Sequence, residues 1–166
     1  MTIQIFDNFL DTEYLTHLRE LFFTFPGIPW YYNSAVVGDR NDSDSFQFTH
    51  VVYTNACPQS SLYEELVPCL QRLNPLALVR IKANLLTKTE KHIEHGFHVD
   101  VPEMGYDNLR TAILYMNTNN GYTLFENGEK VNSVENRLVV FNSQLQHTGA
   151  TCTDEKVRIV INFNYF

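Results

Sequence analysis

No apolar run in this 166-residue sequence is longer than the five residues from Ala112 to Met116. A helix needs ~20 to cross a bilayer, so no transmembrane helix is expected. Basic residues are scarce: 12 Lys and Arg against 19 Asp and Glu leave a formal charge of −7. That is the wrong sign for neutralising a phosphate backbone, which disfavours nucleic acid as a partner. The first ten residues contain Asp7 and no Lys or Arg, so the basic start of a secretory signal is missing. Cysteine is sparse, and Cys57, Cys69 and Cys152 stand too far apart for a CxxC zinc motif or a disulfide framework. A reducing, cytoplasmic setting is the expectation. Seven Gly and six Pro leave little material for linkers, and no repeat, biased segment or shift in composition marks a boundary. One domain over residues 1–166 follows. What is plentiful is aromatic side chain, 12 Phe and 9 Tyr, which favours strands.

Two periodicities divide the chain near residue 75. Residues 1–75 read as helical support with the first strands. A short strand over Ile3 to Phe6 precedes Asp11, a good helix cap. Tyr14, Leu18, Leu21, Phe22 and Phe25 then recur at three- and four-residue spacing, predicting a helix ended by Pro26-Gly27. Asp39 to Ser45 reads as a polar loop, and the alternation from Phe46 to Val52 reads as a strand. Ser61 and Glu64 have capping-box spacing at the head of a helix through Leu66 and Leu70 to Leu73, which Pro68 kinks or shortens. Residues 76–166 read as the core barrel. Its candidate strands are Leu78 to Leu86, Phe97 to Val101, Leu109 to Asn117, Tyr122 to Phe125, Lys130 to Val134, Arg137 to Phe141 and Val157 to Tyr165. Asn120-Gly121 and Asn127-Gly128 are hairpin signals. Short strands with close turns predict an antiparallel sandwich, barrel or jelly roll.

The strand faces carry more information. In the last strand Val157, Ile159, Ile161, Phe163 and Tyr165 share one face, and Lys156, Arg158, Val160, Asn162 and Asn164 the other. From Leu78 onward Val79, Ile81, Ala83 and Leu85 alternate with Arg80, Lys82, Asn84 and Leu86. Two readings stand. Either the polar faces look at water, as antiparallel sheets allow, or they line the mouth of a barrel, where such groups need a polar or charged ligand.

His98-Val99-Asp100 is the triplet of interest, because residues i and i+2 of a strand project from one face. His147 can supply a third ligand if the sheet closes on itself. Two His and one carboxylate leave coordination positions open, the arrangement suited to a non-heme Fe(II) that binds further ligands. The triplet alone is a weak signal: six His and eight Asp in 166 residues give roughly 0.3 such matches by chance. His92-Ile93-Glu94 is a rival. Order and spacing add weight, since a single His147 is followed eleven residues later by Arg158, a side chain that clamps carboxylates bidentately.

With these residues in place, the sequence resembles the Fe(II)- and 2-oxoglutarate-dependent oxygenases, and within them the small prolyl-4-hydroxylase-like proteins. The resemblance runs from about Ile81 to Phe166, with His98, Asp100, His147 and Arg158 as the HxD, distal His and distal Arg, and Thr111 to Phe125 as the strand, hairpin and Gly-x-Thr-x-Phe run. The opening IQIFDNFLDTEYLTHL is similar to the strand and helix with which such domains begin, and the short length with Asn-Asn-Gly is most similar to virus-encoded members, which would place the chain in a host cytoplasm. The resemblance implies a mainly β domain with N-terminal helices, a double-stranded β-helix (jelly-roll or cupin-like barrel). It implies Fe(II) on His98, Asp100 and His147, with 2-oxoglutarate reaching Arg158. O2 is the co-reactant, with ascorbate as an accessory, and succinate and CO2 are released. Tyr115 stands where the family has a hydroxyl donor towards 2-oxoglutarate. Leu86 stands where many relatives have a second Tyr, leaving Asn84 and Asn162 as replacement hydrogen-bond donors. Asp100 argues against a halogenase, which lacks this carboxylate.

The remaining polar and aromatic groups have two readings each. Tyr115 either packs or faces the site. Arg80, Lys82, Lys88 and Lys91 form either an anion-binding spread or a strand followed by a solvated loop. Trp30, Tyr31 and Tyr32 either floor a peptide groove or close a core. Cys152 reads as a free, unreactive thiol, and His17, His50, His92 and His95 as surface or satisfied residues. The function expected is prolyl 4-hydroxylation of a peptide or protein. Alternatives are oxygenation of a free amino acid, small metabolite or nucleobase, and a metal-binding interaction module without turnover.

Overall fold

The computed structural model describes residues 2–36 and 45–166, so nearly all of the expected polar loop from Asp39 to Ser45 lies outside the described residues. The chain opens with β1 (Gln4–Phe6) and α1 (Thr12–Phe23). Asp11 caps α1 as expected, its carboxylate accepting the N–H of Tyr14 at 2.9 Å. Leu15, Leu18 and Phe22 form the buried stripe, but the helix stops at Phe23 and Phe25 is 98% exposed, so the apolar period overran its end. β2 (Tyr31–Asn33), β3 (Gln47–Thr54) and β4 (Cys57–Pro58) follow. The single helix expected after them is two, α2 (Leu62–Glu65) and α3 (Val67–Leu73). Pro68 sits in the first turn of α3, where its missing N–H costs no helical bond. Ser61 makes no capping bond; Ser60 Oγ accepts the N–H of Leu62 instead, at 3.2 Å.

The rest is strand: β5 (Leu78–Thr87), β6 (Arg110–Tyr115), β7 (Tyr122–Phe125), β8 (Lys130–Asn132), β9 (Leu138–Asn142), β10 (His147–Gly149) and β11 (Val157–Tyr165). Pairing is antiparallel throughout. The large sheet runs β1-β9-β6-β11-β5-β3-β2 with β4 on β3, and the small sheet runs β10-β7-β8. Two expectations fail here. Phe97 to Val101 is not a strand, since only His98 pairs, in an isolated bridge to His147. Asn120-Gly121 is not a hairpin, because β6 and β7 belong to different sheets. Asn127-Gly128 does turn β7 into β8, with Gly128 at φ 86°, a conformation glycine adopts without strain.

Two cores form because each long strand has two apolar rows. Ile81, Ala83, Leu114, Ile161 and Phe163 face Leu18, Phe22, Leu66 and Leu70 of the helices. Ile113, Tyr115, Val139, Phe141 and Val160 face Phe125 and Val131 of the small sheet. The polar row of β11 shares the second, inward face, with Arg158, Asn162 and Asn164 all buried. The barrel-mouth reading of that row is therefore the right one. Arg80 and Lys82 likewise are not a solvated spread. Tyr31 and Tyr32 close no core: they are 61% and 66% exposed, while Trp30 packs partly against the helical core. Among the described residues no helix is long and apolar enough to cross a membrane.

Candidate metal centre and anion pocket

The bridge between His98 and His147 does what the expected strand was meant to do. Each backbone N–H donates to the other's carbonyl at 3.0 Å, bringing the two imidazoles to 4.9 Å between ring centroids. Asp100, two residues on, completes a group whose ligand atoms all lie within 4.8 Å of one another. Nδ1 of His98 faces the Gly96 carbonyl and Nδ1 of His147 the Leu145 carbonyl, each at 3.2 Å. A carbonyl only accepts, so Nδ1 of each ring carries a proton and Nε2 is the atom left to face a metal. Burial lowers the pKa of His98, and the neighbouring His147 adds to this, so its ring is held neutral. For Asp100 burial opposes ionisation, but His147, Arg80, Lys82 and His98 outweigh it and bring its pKa down to about 2. The donor set fits a divalent cation with open positions.

Sequence reasoning missed what holds Asp100. Its Oδ1 lies 3.2 Å from Arg80 Nη2, and its Oδ2 accepts from Asn164 Nδ2 at 3.2 Å. Arg80 Nε donates to Asn164 Oδ1 at 3.1 Å, tying the two supports together. The sequence signal was available: both lie on inward rows, and Asn164 pairs with Arg80 in the β11–β5 register.

Arg158 enters the same slot. Its Nε donates to Ser133 Oγ at 2.8 Å and its Nη2 to Thr123 Oγ1 at 3.2 Å, yet no carboxylate pairs with it among the described residues. Burial lowers its pKa, and a buried guanidinium without an anion is an unfilled demand. Two glycines make room for it. A Cβ on Gly121 would lie 2.7 Å from Arg158 Cδ, and one on Gly149 would lie 3.4 Å from its Nη1. The slot, about 60 Å³, is lined by His98, Asp100, His147, Arg158, Asn84 and Asn162 among others. The Oδ1 atoms of Asn84 and Asn162 are buried there without partners among the described residues. Tyr115 is set behind the slot: its hydroxyl donates to Thr123 Oγ1 at 2.8 Å, the same oxygen that meets Arg158, while its ring packs in the second core. A larger cavity of about 930 Å³ lies beside the end of α1, but it contains no group with metal-ligand geometry, so the narrow slot is where the chemistry is concentrated.

The other histidines are structural. His17 pairs with Glu65, His50 lies between the Pro29 carbonyl and Ser60 Oγ, and His95 Nδ1 is 3.5 Å from Ser45 Oγ. In the rival triplet His92 faces the Thr151 carbonyl and Glu94 accepts from the Tyr122 hydroxyl, so the two do not converge. Cys152 is a free, buried cysteine that does not line the slot.

No protein-family model and no curated protein matches this sequence. Solved structures do match. An oxidoreductase of the 2OG-Fe(II) oxygenase family from Burkholderia pseudomallei superposes with a TM-score of 0.70 at 13% identity, over 98% of this chain and 84% of that one. The chain has the fold of the 2-oxoglutarate-Fe(II) oxygenases. It is thus a double-stranded β-helix, as expected from the resemblance. A prolyl hydroxylase from Trichoplax adhaerens, in complex with a hypoxia-inducible-factor peptide, gives a TM-score of 0.68 at 15% identity over 99% and 83% of the two chains. The α-ketoglutarate-dependent epimerase SnoN from nogalamycin biosynthesis gives 0.66 at 12% identity over 99% and 78%. This one fold therefore carries more than one reaction.

Proposed function

We propose that this chain is an Fe(II)- and 2-oxoglutarate-dependent dioxygenase that hydroxylates a C–H bond, with the 4-position of a prolyl residue in a peptide or protein as its target. One observation carries the reading: a two-histidine, one-carboxylate group and a buried arginine with no carboxylate partner among the described residues open into the same slot. Either feature alone has an ordinary structural explanation. Together they match a divalent metal and a small dianion bound side by side. The fold shared with oxygenases, one of them holding a peptide, supports the same assignment.

His98, Asp100 and His147 would hold Fe(II) and leave it positions for further ligands. Fe(II) with 2-oxoglutarate and O2 supplies the oxidising power that inserts oxygen into the C–H bond, releasing succinate and CO2. The chain's own residues bind and orient. Arg158, fixed by Ser133 and Thr123, would take the distal carboxylate of 2-oxoglutarate and set the direction in which that molecule lies. Asn84 and Asn162 also line the slot, where their amide N–H groups would be the atoms able to donate to it.

β2 is an edge strand of the large sheet, and Tyr31 and Val51 are exposed there beside His50 and Ser60. Two measurements test the proposal. Anaerobic addition of Fe(II) and 2-oxoglutarate should give a weak visible charge-transfer band, and its absence in folded protein would remove the cosubstrate. Proline-containing peptides incubated with the complete system should gain the mass of one oxygen atom; succinate release with free amino acids or small metabolites alone would shift the substrate class. A protein that binds Fe(II) and 2-oxoglutarate yet never releases succinate would be the interaction module.

A further inference from the structure

Four ionic side chains other than histidine face the slot region, and three have a role. Arg80 and Asp100 form an ion pair, Asp100 is a candidate metal ligand, and Arg158 awaits the cosubstrate. Lys82 is left over. It lines the slot, and among the described residues its ammonium has no hydrogen bond and no ion pair. Burial lowers its pKa, with Arg80 adding repulsion and Asp100 opposing it.

In the proposed function both carboxylate ends of the cosubstrate already have a place, one at Arg158 and one at the metal ligands. Lys82 pairs with Asn162, four residues along β11 from Leu86's partner Arg158, a separation of ~13 Å along the strand. Four C–C bonds of ~1.5 Å give a five-carbon dianion an end-to-end reach of only ~5 Å. The Arg158 guanidinium is drawn towards Thr123 and Gly149 on the small sheet. From Gly149 to His147 is two residues, ~7 Å, so a dianion starting at Arg158 ends at the metal ligands. Lys82 lines the slot together with His98 and Asp100. Its strand partner on the other side is Val51, which is exposed.

We propose that Lys82 receives a carboxylate of the primary substrate, so that this chain acts on molecules bearing an acid group close to the reacting C–H: a free amino acid or an acidic peptide. The inference rests on the oxygenase reading of the slot and names the group by which its substrate is recognised. Its test is equilibrium binding to anaerobic Fe(II)-loaded protein saturated with 2-oxoglutarate. Two matched pairs serve as probes, L-proline against L-prolinamide, and amidated Gly-Pro-Glu against amidated Gly-Pro-Gln. At least one acid should bind tenfold or more tightly than its amide, the free acid and the acidic peptide distinguishing the two sources of the carboxylate. Lys82→Met should abolish that preference and Lys82→Arg should keep it, with the affinity for 2-oxoglutarate changing less than twofold in both. Equal binding of acid and amide, no binding by either acid, or a tenfold loss of 2-oxoglutarate affinity in Lys82→Met would each overturn the assignment. A wild type that binds no 2-oxoglutarate refutes the oxygenase reading instead, and the acid–amide comparison with Fe(II) alone then still decides the role of Lys82.

Discussion

Arg158→Met separates a ligand-binding arginine from a structural one, because the two roles predict opposite changes in the free protein. The side chain is 4% exposed, donates to Ser133 and Thr123, and has no carboxylate partner among the described residues. Removing it forfeits two hydrogen bonds of ~0.5–1.5 kcal/mol each. It also lifts the burial of an unpaired charge, a penalty of several kcal/mol. Methionine fills similar space, so the free protein should be no less stable than wild type. Binding moves the other way. Loss of a charged hydrogen bond worth ~1.5–3 kcal/mol weakens 2-oxoglutarate by ~10–150-fold. At a concentration a hundred times the wild-type Kd, ligand stabilisation of ~2.7 kcal/mol should fall to ~0.3–1.4 kcal/mol. Urea denaturation of both proteins, anaerobic with Fe(II), with and without 2-oxoglutarate, reads both quantities. A variant that is destabilised when free yet gains as much from 2-oxoglutarate as wild type would show that the guanidinium is part of the core and not a receptor.

Three further outcomes are expected. Gly121→Ala places a methyl group 2.7 Å from Arg158 Cδ and from Asn119 Oδ1; it should cost ~1–3 kcal/mol of stability and weaken 2-oxoglutarate binding as the guanidinium shifts, and a variant unchanged in both would contradict the packing described. Arg80→Ala removes an ion pair that positions Asp100; Fe(II) affinity by equilibrium titration should drop ~10–100-fold, and an unaltered affinity would mean that Asn164 suffices. Burial pushes the Cys69 thiol up to about 12, whereas Cys57 is exposed. The fold favours the protonated thiol, so the stability Cys69 contributes is fully present below its ordinary pKa of 9.0 and is lost as pH rises towards about 12. A thiol reagent near neutral pH should therefore modify Cys57 quickly and Cys69 only on unfolding, and rapid native modification of Cys69 would refute its burial.

Local rules reached far into this fold where the period was long. α1 with its Asp11 cap, and the two faces of β5 and β11, follow from residues a few positions apart. They failed where elements were short or where contact replaced period. β2 and β10 have three residues each, too few for alternation to show. The HxD segment is held by one bridge to His147, a partner 49 residues away, so the shared face assumed from strand geometry was right in outcome for a different cause. Gly121 was legible as a turn residue, and its actual role, admitting the Arg158 side chain, depends on a strand remote in sequence.

By itself the sequence determined which residue types are available to a metal and an anion, and which rows of the two long strands carry them, because side-chain direction along a strand is a local property of the backbone. Only the tertiary structure decided that both polar rows turn inward, that Arg80 is spent on Asp100, that Thr123 stands between Tyr115 and Arg158, and that Lys82 has no ion pair among the described residues. Those are facts of pairing. Electrostatic compensation depends on distances between groups that chain connectivity leaves free until the two sheets close around the slot.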